Sequence, residues 1–473
     1  MALVAGLVVM GLLAGRAAGT ADIDKLLLPV GAVIIFVTMV NPFASLIIYL
    51  LGFMRVGSYE ELGTIQIATA AYTALLFLIA LARFLWRAPW DRSVVRTVTL
   101  MFVLVGYLGV SVVIAQANAI RFADWGRGAF PLIILCLAAV LATTVQTRRQ
   151  WNVAAAVFLF LILNLGTSGA SVLGGRMGAA LGIPDVVSWG STVIAAVLIS
   201  IGLAMMIEKQ QFHWGYAAMV ATGLISAVLT PTRTVWISAG LTVAMLSGVI
   251  MFRRRRPGAA LAVLGFAALI GGGTLLMWKY SGESSWGEQT ARFGTLQKTG
   301  EDPSVKIRQE QVREAFRVFE ASPLIGVGLG YQYQYKIAFT SKYEKPNDFN
   351  HSDLANALAK TGLLGTGLIY GVLIAAVLAA VRLQKLAATP DDRAMGLAAE
   401  STLVVAMVIG NSTPMLQEKG SAFILALIIG LVLARLNILG AEKADQEQLE
   451  EQEAGRESEV PRKGTWQVPA ADR

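Results

Sequence analysis

A chain of 473 residues that is 55% hydrophobic and only 15% charged, with a mean hydropathy of +0.62, carries more apolar surface than a water-soluble fold of this length can cover. The bilayer is the expected solvent, and nucleic acid is excluded as a partner, because the net charge of +8 comes from Lys and Arg that flank apolar runs. The one cysteine, Cys136, lies inside such a run, which leaves no role for disulfides and argues against a thiol nucleophile.

A helix needs about 20 mostly apolar residues to cross hydrocarbon. Candidate spans fall at 2–18, 26–53, 64–86, 94–115, 129–145, 151–170, 188–208, 214–230, 233–252, 258–279, 354–381, 396–411 and 420–437. The first has no basic region before it and is followed by further spans, so it reads as a helix and not as a cleaved signal. Runs such as Val98 to Ala115 lack the period-2 alternation of a barrel strand, so the expected fold is all-α, a polytopic bundle of about 12 transmembrane helices. The chain divides into transmembrane helices over 1–279, a long loop over 280–353, C-terminal transmembrane helices over 354–437 and a charged tail over 438–473.

The breaks rich in Lys and Arg are those at Arg83 to Arg96, Arg148 and Arg149, Arg253 to Arg256, and Arg382 to Arg393. They alternate so as to share one side, the cytoplasm by the positive-inside rule. The loop at 280–353 then faces the periplasm. Arg55, Arg121, Arg127, Arg176 and Arg233 fall in or beside breaks on that same outer side, against the trend. An anionic ligand is one reason to keep cations there, and snorkelling to lipid phosphates is the other.

Between Ser281 and Asn350 nine Lys or Arg balance nine Asp or Glu, so charge acts locally. Val305, Val312, Phe316 and Phe319, with Ile307 and Ala315, form a stripe at helical spacing. Asp302-Pro303 starts this amphipathic helix and Ser322-Pro323 ends it, and its apolar face should lie on the bundle with Arg308, Arg313 and Arg317 at its flanks. The run Gly326-Val327-Gly328-Leu329-Gly330 is no dinucleotide-binding turn, since no strand precedes it. It suits a sharp turn or a close backbone approach. Of two histidines, His351 lies where the loop re-enters the membrane, and a neutral imidazole there can accept a proton near pH 7. With no external cysteine and one external histidine, a zinc site is not expected.

The stretches Pro323 to Gly330 and Asn350-His351-Ser352-Asp353 through Thr361-Gly362-Leu363-Leu364-Gly365, with Thr230 to Trp236 opening an earlier helix, resemble the O-antigen ligase and polymerase superfamily over roughly 220–435. The resemblance implies a GT-C type glycosyltransferase in the inner membrane of a Gram-negative bacterium. Such an enzyme takes a glycan from an undecaprenyl-diphosphate carrier and, in the ligase, moves it to the lipid A core oligosaccharide on the periplasmic face with inversion. It implies His351 as general base and Arg233 and Arg308 as diphosphate ligands, with Arg313, Arg121, Arg127 and Arg176 as further candidates. No metal and no cofactor are expected: permanently charged guanidinium groups can stabilise the leaving diphosphate, and Asp22-Ile23-Asp24 falls on the cytoplasmic side. Within the superfamily the alternatives are the O-antigen polymerase and a protein O-oligosaccharyltransferase. The single large outer loop and the lack of a soluble C-terminal domain favour the ligase. A lipid-linked sugar transporter should show an internal repeat and polar residues at mid-membrane, and neither is apparent.

Overall fold

The computed structural model describes residues 37–56 apart from 39, 64–86, 90–170, 191–229, 233–253, 255–280, 303–334 and 348–459. The span at 2–18, Arg176, the loop stretches 281–302 and 335–347, and the end of the tail lie outside the described residues. Within the described residues the all-α expectation is met. The helices are α1 (Pro42–Val56), α2 (Thr64–Trp86), α3 (Arg92–Ala117), α4 (Phe122–Leu135), α5 (Leu137–Thr144), α6 (Arg148–Ala170), α7 (Ser191–Lys209), α8 (Trp214–Leu229), α9 (Arg233–Gly248), α10 (Pro257–Tyr280), α11 (Pro303–Ala321), α12 (Asp353–Leu386), α13 (Pro390–Ile409) and α14 (Lys419–Glu459). A π-turn, Val249–Arg253, continues α9. Among the described residues, six helices are long and apolar enough to cross a membrane. The chain is thus a multi-pass membrane protein by composition and by helix length.

Where a helix sits follows from how uniformly apolar it is. The apolar stretch of α14 is 89% buried, whereas that of α3 is 33% buried, so α14 runs through the middle of the bundle and α3 along its flank. Close approach needs small residues at the crossing. At Gly430 of α14 an added Cβ would lie 2.8 Å from the Leu141 side chain and 3.2 Å from the Ala138 backbone of α5. Trp151 of α6 donates its indole N–H to the Leu431 carbonyl, 2.9 Å away, and ties a third helix to the same turn. The charged tail begins as helix: α14 continues through it as far as Glu459, with its side chains largely exposed up to Gln452.

The basic breaks do share one end of the bundle. Arg382 reaches Asp91 at 2.8 Å, Arg393 reaches Glu208 at 3.1 Å, and Arg253 reaches Glu400 at 3.3 Å. Asp392, fully buried, accepts from Arg148 at 2.9 Å, from both Nε and Nη2 of Arg435 at 2.8 and 2.9 Å, and from the Thr389 hydroxyl at 2.8 Å. Three segments therefore converge on one carboxylate: α6, α14 and the N-terminus of α13 itself. Among the described residues Asp392→Asn leaves the buried Arg435 with Glu442, at 3.3 Å, as its one carboxylate, and removing one charge of a buried pair costs about 3–5 kcal/mol. A clear fall in the thermal midpoint in detergent is the expected result, and an unchanged midpoint would show that water already solvates the cluster.

Candidate active site

The site is built around a break in α12. Gly362 takes φ of +61°, which ends helical bonding after Thr361 and starts it again at Leu363. A break within an apolar helix strands backbone groups that must find other partners. The glycine turn supplies them in register. Ala359 and Lys360, whose carbonyls would have served Leu363 and Leu364, accept instead from the N–H groups of Val327 and Gly328 at 3.0 and 2.9 Å. The freed N–H groups of Leu363 and Leu364 donate to the Pro323 and Leu324 carbonyls at 2.8 and 3.1 Å. Thr361 O is taken by the Tyr107 hydroxyl at 2.8 Å. A Cβ on Gly326 would lie 2.4 Å from Lys360 backbone, and one on Gly362 would lie 2.4 Å from Leu324 backbone, so the two segments meet main chain to main chain. This is the close approach expected of Gly326 to Gly330.

The short helical piece before the break carries the histidine turn on its N-terminus. Ser352 caps it, its hydroxyl accepting from Ala355 N at 3.2 Å. The turn is locked from two sides. From α11, the Gln311 carbonyl accepts from the buried Asn350 side chain at 2.9 Å. From the loop between α13 and α14, the Gln417 side chain accepts from Asn350 N at 3.1 Å and donates to Asn350 O at 2.7 Å and to Asp353 Oδ1 at 3.1 Å. Asp353 closes the knot, accepting from Met415 N and Leu416 N at 2.7 and 3.0 Å while its own N–H donates to Gly410 O at 2.7 Å. Lys360, buried beneath, donates to the Asp348 carbonyl and lies over the Tyr333 ring, which pins the returning segment.

His351 itself is half-buried, edge-on to Phe349, with Nδ1 2.5 Å from Oε1 of Gln311. An amide oxygen can only accept, so this contact puts the proton of the neutral ring on Nδ1 and the lone pair on Nε2. Burial, and then the Arg308 guanidinium, push the imidazole pKa down from 6.5 to about 4. At neutral pH the ring is therefore uncharged, with Nε2 open to accept a proton.

Arg308 precedes Gln311 by one turn of α11, and its Nη1 donates to Ser412 O at 3.2 Å, in the same loop that clamps the histidine turn. His351 and Arg308 are thus brought together. Arg233 opens α9, which starts at the same end of the bundle: Ser238 of α9 lines a small cavity with Ile409 and Met415, and Met415 also lines the cavity beside Asp353. Arg121 and Arg127 share one local carboxylate, Asp124, at 2.7 and 3.6 Å, and Gly330 packs on the backbone of that residue. Arg313 points away: it is exposed and pairs with Glu310 at 2.7 Å, as Arg317 does with Glu314. Among the described residues no group of three His, Cys, Asp or Glu could hold a metal ion.

The buried row of α11 is rotated from the expected stripe. Gln311, Ala315 and Val318 are buried and Phe316 is exposed, because a polar side chain with a fixed partner can occupy an inward position. Gln311 and Gln417 were not singled out in the sequence. The one signal for Gln311 was a glutamine a turn before Ala315 on the inward face.

Residues 217–370 match a protein-family model described as O-antigen ligase. The match supports the superfamily read from the sequence. It starts near the expected residue 220 and stops at 370, short of 435, and it contains Arg233, Arg308, His351 and the break in α12. No curated protein matches the chain.

Proposed function

From the O-antigen ligase match over residues 217–370, we propose that this protein transfers a glycan from undecaprenyl diphosphate to the lipid A core oligosaccharide at the periplasmic face of the inner membrane, inverting the anomeric centre without a metal. The observation that carries the reading is the His351–Gln311 contact, which leaves Nε2 as an acceptor with a guanidinium close by. A hydroxyl of the acceptor sugar approaches Nε2, and its proton passes to the ring as its oxygen bonds to the anomeric carbon. The bond from that carbon to the diphosphate oxygen breaks on the opposite face, and undecaprenyl diphosphate leaves carrying the electron pair. Arg308 and Arg233 stabilise the charge gathered on the leaving diphosphate, a task suited to a planar group that offers paired donors. The bound diphosphate also offsets the Arg308 charge felt by His351, so donor binding makes the ring a stronger base.

The test is reconstitution of the purified full-length chain with lipid-linked glycan and, in separate reactions, the lipid A core, a second lipid-linked glycan and a protein acceptor. The core should gain the mass of the glycan with or without chelator. Gain only on the second lipid-linked glycan would make the protein a polymerase. Loss with chelator that Mg²⁺ restores would overturn the metal-independent mechanism.

A further inference from the structure

At the other end of α13, the last turn of α7, the π-turn after α9 and the first turns of α10 surround a cavity of about 620 Å³. Arg393 lines it, while Gly410 on the same helix touches Asp353. Gly410 lies 17 residues on from Arg393, a rise of about 25 Å at 1.5 Å per residue, so the cavity lies an apolar layer away from His351.

The charges that face it nearly cancel. Glu208 of α7 pairs with Arg393 of α13 at 3.1 Å, and Arg393 also donates to the Ala387 and Ala388 carbonyls. Beside them, Lys209 pairs with Asp391 at 2.7 Å and Arg253 with Glu400 at 3.3 Å. Arg256 is left over: among the described residues no carboxylate pairs with it, and it lines the cavity with the amides Gln210 and Gln211. The corner that presents it is specially shaped. The helix widens into the π-turn, Arg256 N donates to Ile250 O at 3.1 Å, and Arg255 takes φ of +53°, which a side chain rarely adopts. The rest of the wall is apolar, with Met206, Ile250 and Val263. Next to it Phe212 and Trp214 stand 60% and 80% exposed, edge to face at 5.0 Å, as aromatic side chains do at a membrane–water boundary.

A site with one spare guanidinium, two amides and an apolar wall at the boundary suits an amphiphile with a single negative head. A free anion would leave Met206, Ile250 and Val263 unserved, and a polyanion would lack counter-charge. We infer that this cavity binds the phosphodiester headgroup of an anionic glycerophospholipid, with Arg256 as its cationic ligand and an acyl chain along Ile250 and Val263.

The experiment uses full-length protein in detergent, with phosphatidylglycerol, phosphatidylcholine or inorganic phosphate added, read by native mass spectrometry and by thermal midpoint. Phosphatidylglycerol should be retained in preference to phosphatidylcholine and should raise the midpoint. Arg256→Gln should lower that retention about tenfold, the worth of one charge-assisted hydrogen bond. Ala259→Trp, which fills the cavity without removing a charge, should do the same. Arg149→Gln, an exposed cation at the same end of the bundle, should not. Equal loss in Arg149→Gln and Arg256→Gln would reduce the effect to general surface charge and overturn the site. So would retention of both lipids alike, or an equal rise in midpoint from inorganic phosphate.

Discussion

Replacing His351 by Gln or Ala lowers glycan transfer by about 10²- to 10⁴-fold while donor binding and thermal midpoint stay close to wild type. The size follows from the role: without a base, the attacking hydroxyl must give its proton to water as the new bond forms. Survival of the fold follows from the contacts, because the clamp on the turn runs through Asn350, Ser352 and Asp353 and spares the imidazole. His351→Gln is the sharper variant, since it fills similar space and can still meet Gln311, yet cannot take a proton at Nε2. The residual rate of the variant should no longer follow the titration of an imidazole, since the group that took the proton is gone. Transfer within a few-fold of wild type, in protein that binds donor normally, would remove His351 from the chemistry.

Much of this was legible in the chain because hydropathy and proline are local signals. Asp302-Pro303 and Ser322-Pro323 bound α11, and the expected span at 64–86 matches α2. His351 stood out by residue type and position, whereas only the family resemblance set Arg308 apart from Arg313 and Arg317. What could not be read were the partners. Gln311 lies 40 residues from His351, and Gln417 lies 67 from Asn350, and no periodicity within one helix reports a hydrogen bond between two others. Gln417 also sits in a short stretch between two apolar helices, just before Glu418 and Lys419, where it looks like plain linker. The glycine turn was half legible: three glycines in five residues announce a close backbone approach, but that the backbone approached is the broken helix at Gly362 emerges only when the two segments are seen to trade carbonyl and N–H partners. The rotation of α11 has the same origin, since a stripe counted by hydrophobicity discards the inward glutamine.

Arg308→Gln separates two roles that one guanidinium holds. If it stabilises the leaving diphosphate, transfer falls by about 10²- to 10³-fold, as when one fixed donor to developing charge is lost. If it also depresses the His351 pKa, the substitution moves that pKa upward. The sign is fixed: the guanidinium disfavours a second positive charge, so its removal makes protonation of the ring easier. Activity needs the neutral ring and is lost as pH falls through the pKa, so the acid limb, near pH 4 in the free enzyme, should move to higher pH. It should remain below the ordinary value of 6.5, because burial is the larger of the two causes and stays in place. The chain has two histidines, so a His213→Gln background with ¹⁵N-labelled histidine leaves one imidazole to titrate without any substrate. An upward shift in that titration with transfer reduced shows both roles. A shift with transfer intact would leave Arg308 as a neighbour that tunes the ring and assign the diphosphate to other cations, Arg233 first. Arg308→Lys completes the argument: a point charge restores the low pKa but not the paired donors, so the titration should return to wild type while transfer recovers only in part.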